Sequence, residues 1–230
     1  MNPFPKREAW RHLPRDSARE LYFETLHAAV KEFYLDDPSN PYQQSGRSKG
    51  AERWEETRRC FVQAIDRSGD FLDVGCANGL FLESIMKWAG EVGFVLRPYG
   101  LDFVAELVEL ARKRFPEHKD SFFIANAFDW QPERQFDFVR TSLEYVPEQD
   151  WTEFVRRQYA TVAPGGRLIV SHYRNAADPV VDVAKVVQDA GYVLSGRTEA
   201  PGVVAVWTDV AIVERWTPAA PPHGTGTFDT

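Results

Sequence analysis

A chain of 230 residues, 43% hydrophobic and 27% charged, has the length and composition of one large globular domain, or of one domain with an appendage, and can build a core without metal or disulfide. A net charge of −7 with no long basic run argues against a broad nucleic-acid footprint, and Arg112-Lys113-Arg114 and Arg156-Arg157 read as solvated helix faces. Cys60 and Cys76 offer neither metal-ligand spacing nor a disulfide framework, which points to reduced thiols in a cytoplasmic protein, and no stretch reads as a signal peptide or membrane span.

Residues 1–15 hold three prolines and several charges and read as a loose arm. From Ser17 to about Tyr34, Leu21, Leu26, Val30 and Phe33 include pairs at helical spacing, with Ser17 and Glu20 as a capping box. Asp36 to Gly50 breaks all periodicity with Asp37-Pro38, Asn40-Pro41 and two glycines, and a loop of that length inside a compact domain is usually functional or disordered. A second helix is predicted over Ala51–Asp66, with Trp54, Phe61, Val62 and Ile65 as core candidates.

Phe71, Leu72 and Val74 then form a short buried strand, Gly75 to Gly79 a tight turn, and Leu80 to Trp88 a helix. Glycine tolerates positive φ and leaves room for a ligand against the backbone, and the new helix points free N–H groups at the turn. A second strand ends on Tyr99-Gly100-Leu101-Asp102, placing a carboxylate 23 residues after Gly79 where it can accept both hydroxyls of a ribose. Phe103–Phe115 is predicted helical and is stopped by Pro116. Ser121–Ala125 is a third strand ending at Asn126-Ala127, and Phe136–Thr141 a fourth. A helix begins at Asp150, with Glu153 as its capping partner, and ends at Ala163-Pro164-Gly165-Gly166. Arg167–Ser171 is the fifth strand, and Asp178-Pro179 opens a helix to Ala190. Tyr192–Thr198 and Val203–Val213 read as two strands whose short link permits an antiparallel pair and no crossover. The Pro-, Gly- and Thr-rich segment Thr217–Thr230 reads as a disordered tail.

A nicotinamide or flavin fingerprint requires Gly-x-Gly-x-x-Gly, whereas here Gly75 and Gly79 are four apart and Leu80 stands where a third glycine belongs. The stretch Asp73-Val74-Gly75-Cys76-Ala77-Asn78-Gly79, followed by Asp102, instead resembles the class I S-adenosylmethionine-dependent methyltransferases, over roughly residues 70–172. Ala77 replaces that family's middle glycine, at little cost where φ is negative. The resemblance implies an α/β, Rossmann-like methyltransferase fold: a mostly parallel seven-stranded sheet with an antiparallel last strand, in three α/β/α layers under a helical N-terminal cap. It divides the chain into an arm and cap with a lid loop (1–67), a cofactor-binding core (68–216) and the tail (217–230).

The same resemblance implies S-adenosyl-L-methionine as the cofactor. Gly75, Cys76, Ala77 and Gly79 would line its methionyl portion, and Asp73 would brace the turn or meet the amino group. Asp102 would hold the ribose and Phe103 would lie against the adenine. Asn126 and Ala127 would reach the adenine edge, and Thr141 would line the cofactor through its carbonyl. As strand-end or core residues, Asp73, Phe103 and Asn126 have purely structural readings too. Segments after the fourth and fifth strands face the acceptor, which makes Glu144, Tyr145 and His172 the candidate catalytic or acceptor-binding groups. The loop 36–50, with Tyr42, Gln43, Arg47 and Lys49, would fold over the cofactor as a lid.

Methyl transfer needs orientation more than covalent help, so clear cofactor residues beside an ambiguous catalytic site are expected. The favoured reading is transfer to a small-molecule acceptor at O, N or C, with no membrane partner and nucleic acid disfavoured by the acidic charge. RNA or protein methylation, or a non-catalytic cofactor-binding module, are the alternatives.

Overall fold

The computed structural model describes residues 12–46, 50–173 and 180–210. Branched and aromatic runs supply the strands β1 (Gly69–Val74), β2 (Leu96–Asp102), β3 (Phe122–Ile124), β4 (Phe136–Ser142), β5 (Val162–Tyr173), β6 (Gly196–Ala200) and β7 (Val203–Asp209). They form one sheet in the order β3-β2-β1-β4-β5-β7-β6. β1 to β5 pair in parallel, and β7 runs antiparallel between β5 and β6. Only Pro201-Gly202 separates β6 from β7, which suits a hairpin and excludes a crossover. The reversed last strand expected from the sequence is therefore present.

The helices are α1 (Arg15–Leu35), α2 (Ala51–Arg58), α3 (Leu80–Glu91), α4 (Ala105–Arg114), α5 (Trp151–Ala160) and α6 (Val183–Asp189). Side chains alternate between the faces of the sheet. Phe71, Phe138 and Ile169 pack with α3 residues Leu82 and Ile85 and with Phe61. Leu72, Val139, Leu168 and Val170 pack on the other face with Phe154 and Val155 of α5 and Val183 and Val187 of α6. Three layers result. The order of strands reverses between β1 and β4, each of which starts a run toward an opposite edge, and ligands of open α/β sheets bind beyond the strand ends at such a point.

α1 is a cap over that end of the sheet. Ala18, Tyr22, Leu26 and Val30 recur every four residues, are buried, and meet Ala77, Val104 and Leu107. Burying large apolar side chains of this kind contributes about 1.5–3 kcal/mol each. Polar contacts fix the register. Asp150, fully buried, accepts Arg15 Nε at 2.5 Å and Arg19 Nε at 2.7 Å, and the Tyr22 hydroxyl donates to the backbone carbonyl of Glu144.

Several element ends differ from the sequence reading. α1 starts at Arg15 behind Pro14, whose carbonyl takes the Ala18 N–H, so Ser17 lies inside the helix and caps nothing. The helix predicted to Asp66 stops at Arg58 and tightens into a 3₁₀ turn over Arg59–Ala64. Asp150 does not form a box with Glu153, because its carboxylate is held by the two α1 arginines while Glu153 pairs with Arg157. β5 begins at Val162 and takes up Ala163–Gly166 as an irregularity opposite Phe136 to Phe138. β6 starts at Gly196 and not at Tyr192, because the Tyr192 ring stacks on Tyr159 of α5 at 3.9 Å, away from the ladder. α6 starts at Val183, with Asp182 accepting the Lys185 N–H at 3.0 Å. The Asp178-Pro179 cap, Arg47, Lys49, strand residues past Val210 and the tail lie outside the described residues.

Candidate active site

β1 delivers the chain into the turn Gly75–Gly79, which hands it to α3. The Gly75 and Cys76 N–H groups both donate to the Leu101 carbonyl, at 2.7 and 3.0 Å, tying the turn to the end of β2. Gly75 has φ +79°, and a Cβ there would lie 2.3 Å from the Tyr145 ring, so only glycine lets that ring rest on the turn. Ala77 has φ +48°, so the low cost that a negative φ would carry does not apply. A left-handed alanine costs roughly 1–2 kcal/mol. What holds it is its own N–H, which donates to Asp102 Oδ2 at 2.9 Å. Asp102 Oδ1 meanwhile accepts from Val104 N at 3.0 Å. Burial pushes the Asp102 carboxyl above its usual range, and the N–H bonds from Val104, Ala77 and Phe103 oppose that rise.

One continuous cavity joins these parts. Asp73, Gly75, Cys76 and Ala77 line it from the β1 side, Asp102 and Phe103 from β2, Asn126 and Ala127 from β3, and Glu144 and Tyr145 from beyond β4. Phe23, Leu26, Val30 and Tyr34 of α1 form an apolar wall facing them, and Ser45 and Gly46 complete the rim. Phe103 is held edge-to-face by His27 at 5.2 Å. Asn126 serves two ends: it lines the cavity, and its amide oxygen accepts the Phe128 N–H at 2.8 Å to turn the chain.

The sequence reading missed a charged row across the floor. Asp73 and Arg140 are direct partners in the β1–β4 ladder, and Arg140 reaches Asp73 Oδ1 at 3.1 Å, with both side chains almost wholly buried. The same guanidinium donates to the Tyr145 hydroxyl at 3.2 Å, Ser171 Oγ at 3.2 Å and the Tyr173 hydroxyl at 2.9 Å. Burial drives the Asp73 carboxyl up to about 7 against the pull of Arg140. Tyr145 is also pushed up, chiefly by burial, which keeps its hydroxyl protonated. Trp54, Arg58, Phe81 and Tyr173 extend this end of the cavity, with Arg58 sandwiched 4.1 Å from Trp54 and 4.8 Å from Tyr173.

Three expected residues stand off the cavity. Gly79 (φ +77°) faces Phe115 and Ala111, so it lets α3 approach α4 and does not line the ligand space. Thr141 points to the opposite face of the sheet from Arg140, and its carbonyl is taken by Ser171 Oγ at 3.0 Å. His172 lies behind Glu144, with Nδ1 3.5 Å from Glu144 Oε1 and its ring against Trp151. Glu144 faces the cavity while its oxygens receive the Ser142 hydroxyl and the Tyr173 N–H.

These residues fit an adenosyl amino acid. Asp73 Oδ2 is buried on the cavity floor without a hydrogen-bond partner, as an acceptor awaiting an ammonium group would be. The Asp102 carboxylate and the apolar α1 wall line the same cavity. Among the described residues no group of three or more His, Cys, Asp or Glu is placed to hold a metal, and no helix is long and apolar enough to cross a membrane.

Residues 47–211 match the model of a methyltransferase domain. The chain is similar to a trans-aconitate 2-methyltransferase of Methylobacterium radiotolerans, 30% identical over 122 residues, which cover 52% of this chain and 44% of that protein. It is 22% identical over 116 residues to a malonyl-[acyl-carrier protein] O-methyltransferase of Ilyobacter polytropus, covering 50% of this chain and 42% of the relative. These matches span under half the length of either relative. Among solved structures, the 1,6-didemethyltoxoflavin N1-methyltransferase of Burkholderia thailandensis superposes with a TM-score of 0.60 at 14% identity, covering 84% of this chain and 90% of that one. The N-methyltransferase NodS of Bradyrhizobium japonicum, in complex with S-adenosyl-L-homocysteine, gives 0.59 at 16% identity, covering 80% and 97%. With a glycine turn and a buried acid meeting in one cavity under this sheet order, the chain belongs to the methyltransferase domain family.

Proposed function

We propose that this chain transfers a methyl group from S-adenosylmethionine to a small-molecule acceptor bound among Trp54, Phe81, Tyr145 and Tyr173. The observation that carries the reading is the cavity itself, which runs on from the adenosyl end to a part lined by Trp54, Arg58, Phe81, Tyr145 and Tyr173. The trans-aconitate and didemethyltoxoflavin enzymes named above support it, since both names specify small acceptors. The net charge of −7 disfavours a long nucleic-acid track.

The cofactor, when bound, supplies an electrophilic methyl on a sulfonium. The chain's own part is to hold, orient and dry. Asp73 receives the amino group, Gly75, Cys76 and Ala77 line the amino-acid chain, Asp102 takes the ribose, and Phe103, Asn126 and Ala127 frame the purine. Arg140 fixes the Tyr145 and Tyr173 hydroxyls toward the acceptor chamber. Glu144 is the carboxylate placed to receive an acceptor proton, with His172 behind it. Fixing two reactants in this way is worth up to about 7–11 kcal/mol, whereas a base adds about 10²–10⁴ in rate.

The test is S-adenosylhomocysteine formation with a panel of small carboxylic, phenolic and amine acceptors, run beside RNA and protein fractions. Turnover with a small acceptor, lost in Asp102→Ala, is the expected result. Turnover confined to the RNA or protein fractions, or cofactor binding with no turnover in any fraction, would overturn the proposal.

A further inference from the structure

Asn78 sits in the cofactor turn, yet it has no exposure to solvent and does not line the cavity. Its side chain makes four hydrogen bonds. Nδ2 donates to the Pro41 carbonyl at 3.0 Å and to Gln44 Oε1 at 3.1 Å. Oδ1 accepts from Ser45 Oγ at 2.5 Å and from the Leu80 N–H at 3.1 Å. Three of the four partners belong to the 40–46 segment, more than thirty residues earlier in the chain.

That segment is braced within itself. Asn40 Oδ1 accepts the N–H groups of Tyr42 and Gln43 at 3.1 and 3.2 Å, and Gln44 Nε2 donates to the Pro38 carbonyl at 3.1 Å. Its far end forms cavity wall: Ser45 and Gly46 line the ligand space, and Gly46, at φ +76°, lies so close to Tyr34 that a Cβ would come within 2.5 Å of the hydroxyl. A pre-folded flap is therefore attached to the turn that meets the cofactor, through one primary amide. The residue type matters. Only an amide side chain donates two N–H bonds and accepts two more from a single short stem.

We propose that Asn78 is a positioning residue that clasps the 40–46 segment over the bound cofactor and thereby sets how fast S-adenosylhomocysteine leaves. The inference rests on the cofactor assignment and is independent of the acceptor. Opening this wall requires Asn78 to give up its bonds to Pro41, Gln44 and Ser45 together. Closing it places Ser45 and Gly46 against the ligand in the same step that completes the turn. Three bonds of ordinary net strength amount to a tenfold or larger effect on a dissociation rate.

The bond to Leu80 supplies the competing explanation, since it caps α3 whatever the flap does. Two variants separate the roles. Ser45→Ala with Gln44→Ala leaves Asn78 and the α3 cap in place. Asn78→Asp keeps both accepted bonds and loses both donated ones. The expected result for each is faster amide hydrogen exchange across residues 37–46 in the cofactor-free protein, unchanged exchange in β1 and α3, and S-adenosylhomocysteine dissociation about tenfold faster by stopped flow. A dissociation rate equal to that of the parent protein in both variants would overturn the proposal, as would a rise in exchange spread over the whole sheet.

Discussion

The carboxylate of Asp102 accepts the backbone N–H of Ala77 at 2.9 Å, so the acid at the end of β2 and the turn after β1 form one hydrogen-bonded unit. Removing the acid acts on both. Asp102→Ala should weaken S-adenosylhomocysteine binding by about 10- to 150-fold, the worth of one charged hydrogen-bonding partner, and Asp102→Asn by less. Titration calorimetry reads this directly, and an unchanged affinity in Asp102→Ala would remove Asp102 from the ribose site.

The left-handed Ala77 gives a second test. Ala77→Gly relieves a strained φ and loses one methyl contact against Leu107 and Val104. The strain is the larger of the two, so the variant should be more stable by about 0.5–1 kcal/mol in urea unfolding. Destabilisation would mean that the methyl contact outweighs the backbone term.

Arg140 and Asp73 form a buried pair whose halves are unequal without each other. Arg140→Met leaves a carboxylate on the floor with its guanidinium gone, and should cost about 3–5 kcal/mol. Asp73→Asn combined with Arg140→Met should recover part of that loss, because no unpaired charge then remains. A double variant as unstable as the sum of the two singles would show that the pair is not coupled.

The pH dependence follows from the raised Asp73 carboxyl. Its folded value of about 7 exceeds the usual 3.8, so the native state holds a proton that the unfolded chain releases. The stability it contributes is complete below the unfolded value and is lost as pH rises through about 7. Cofactor binding runs the other way, because an ammonium group prefers the ionised acid. Stability should fall between about pH 4 and 7 and affinity for S-adenosylhomocysteine should climb as pH approaches about 7, both levelling off above it, and Asp73→Asn should flatten both curves. Calorimetry and urea melts over that range check the two slopes.

The parts of the site that were legible in the sequence are those whose meaning is local. A buried run, a glycine bend and a carboxylate closing the next run identify Asp73, Gly75 and Asp102 without any knowledge of pairing. Arg140 was not legible. An arginine inside a strand says nothing until the register sets it beside Asp73, 67 residues away in the chain. Thr141 and Arg140 are neighbours on opposite faces, and a shift of one residue in phase exchanges their roles. The dihedral of Ala77 was equally hidden, since a side chain carries no record of the backbone bond that holds it. Tyr192 read as a strand residue because its aromatic character is the same whether it joins a ladder or stacks on Tyr159.

The wall built by Phe23, Leu26, Val30 and Tyr34 belongs to a helix that contributes no strand to the sheet. Architecture and retention are thus assigned to different stretches of polypeptide. Without that helix the strand order would be unchanged on paper, but the groove would be an open trough and the buried Asp150 would lose both Arg15 and Arg19.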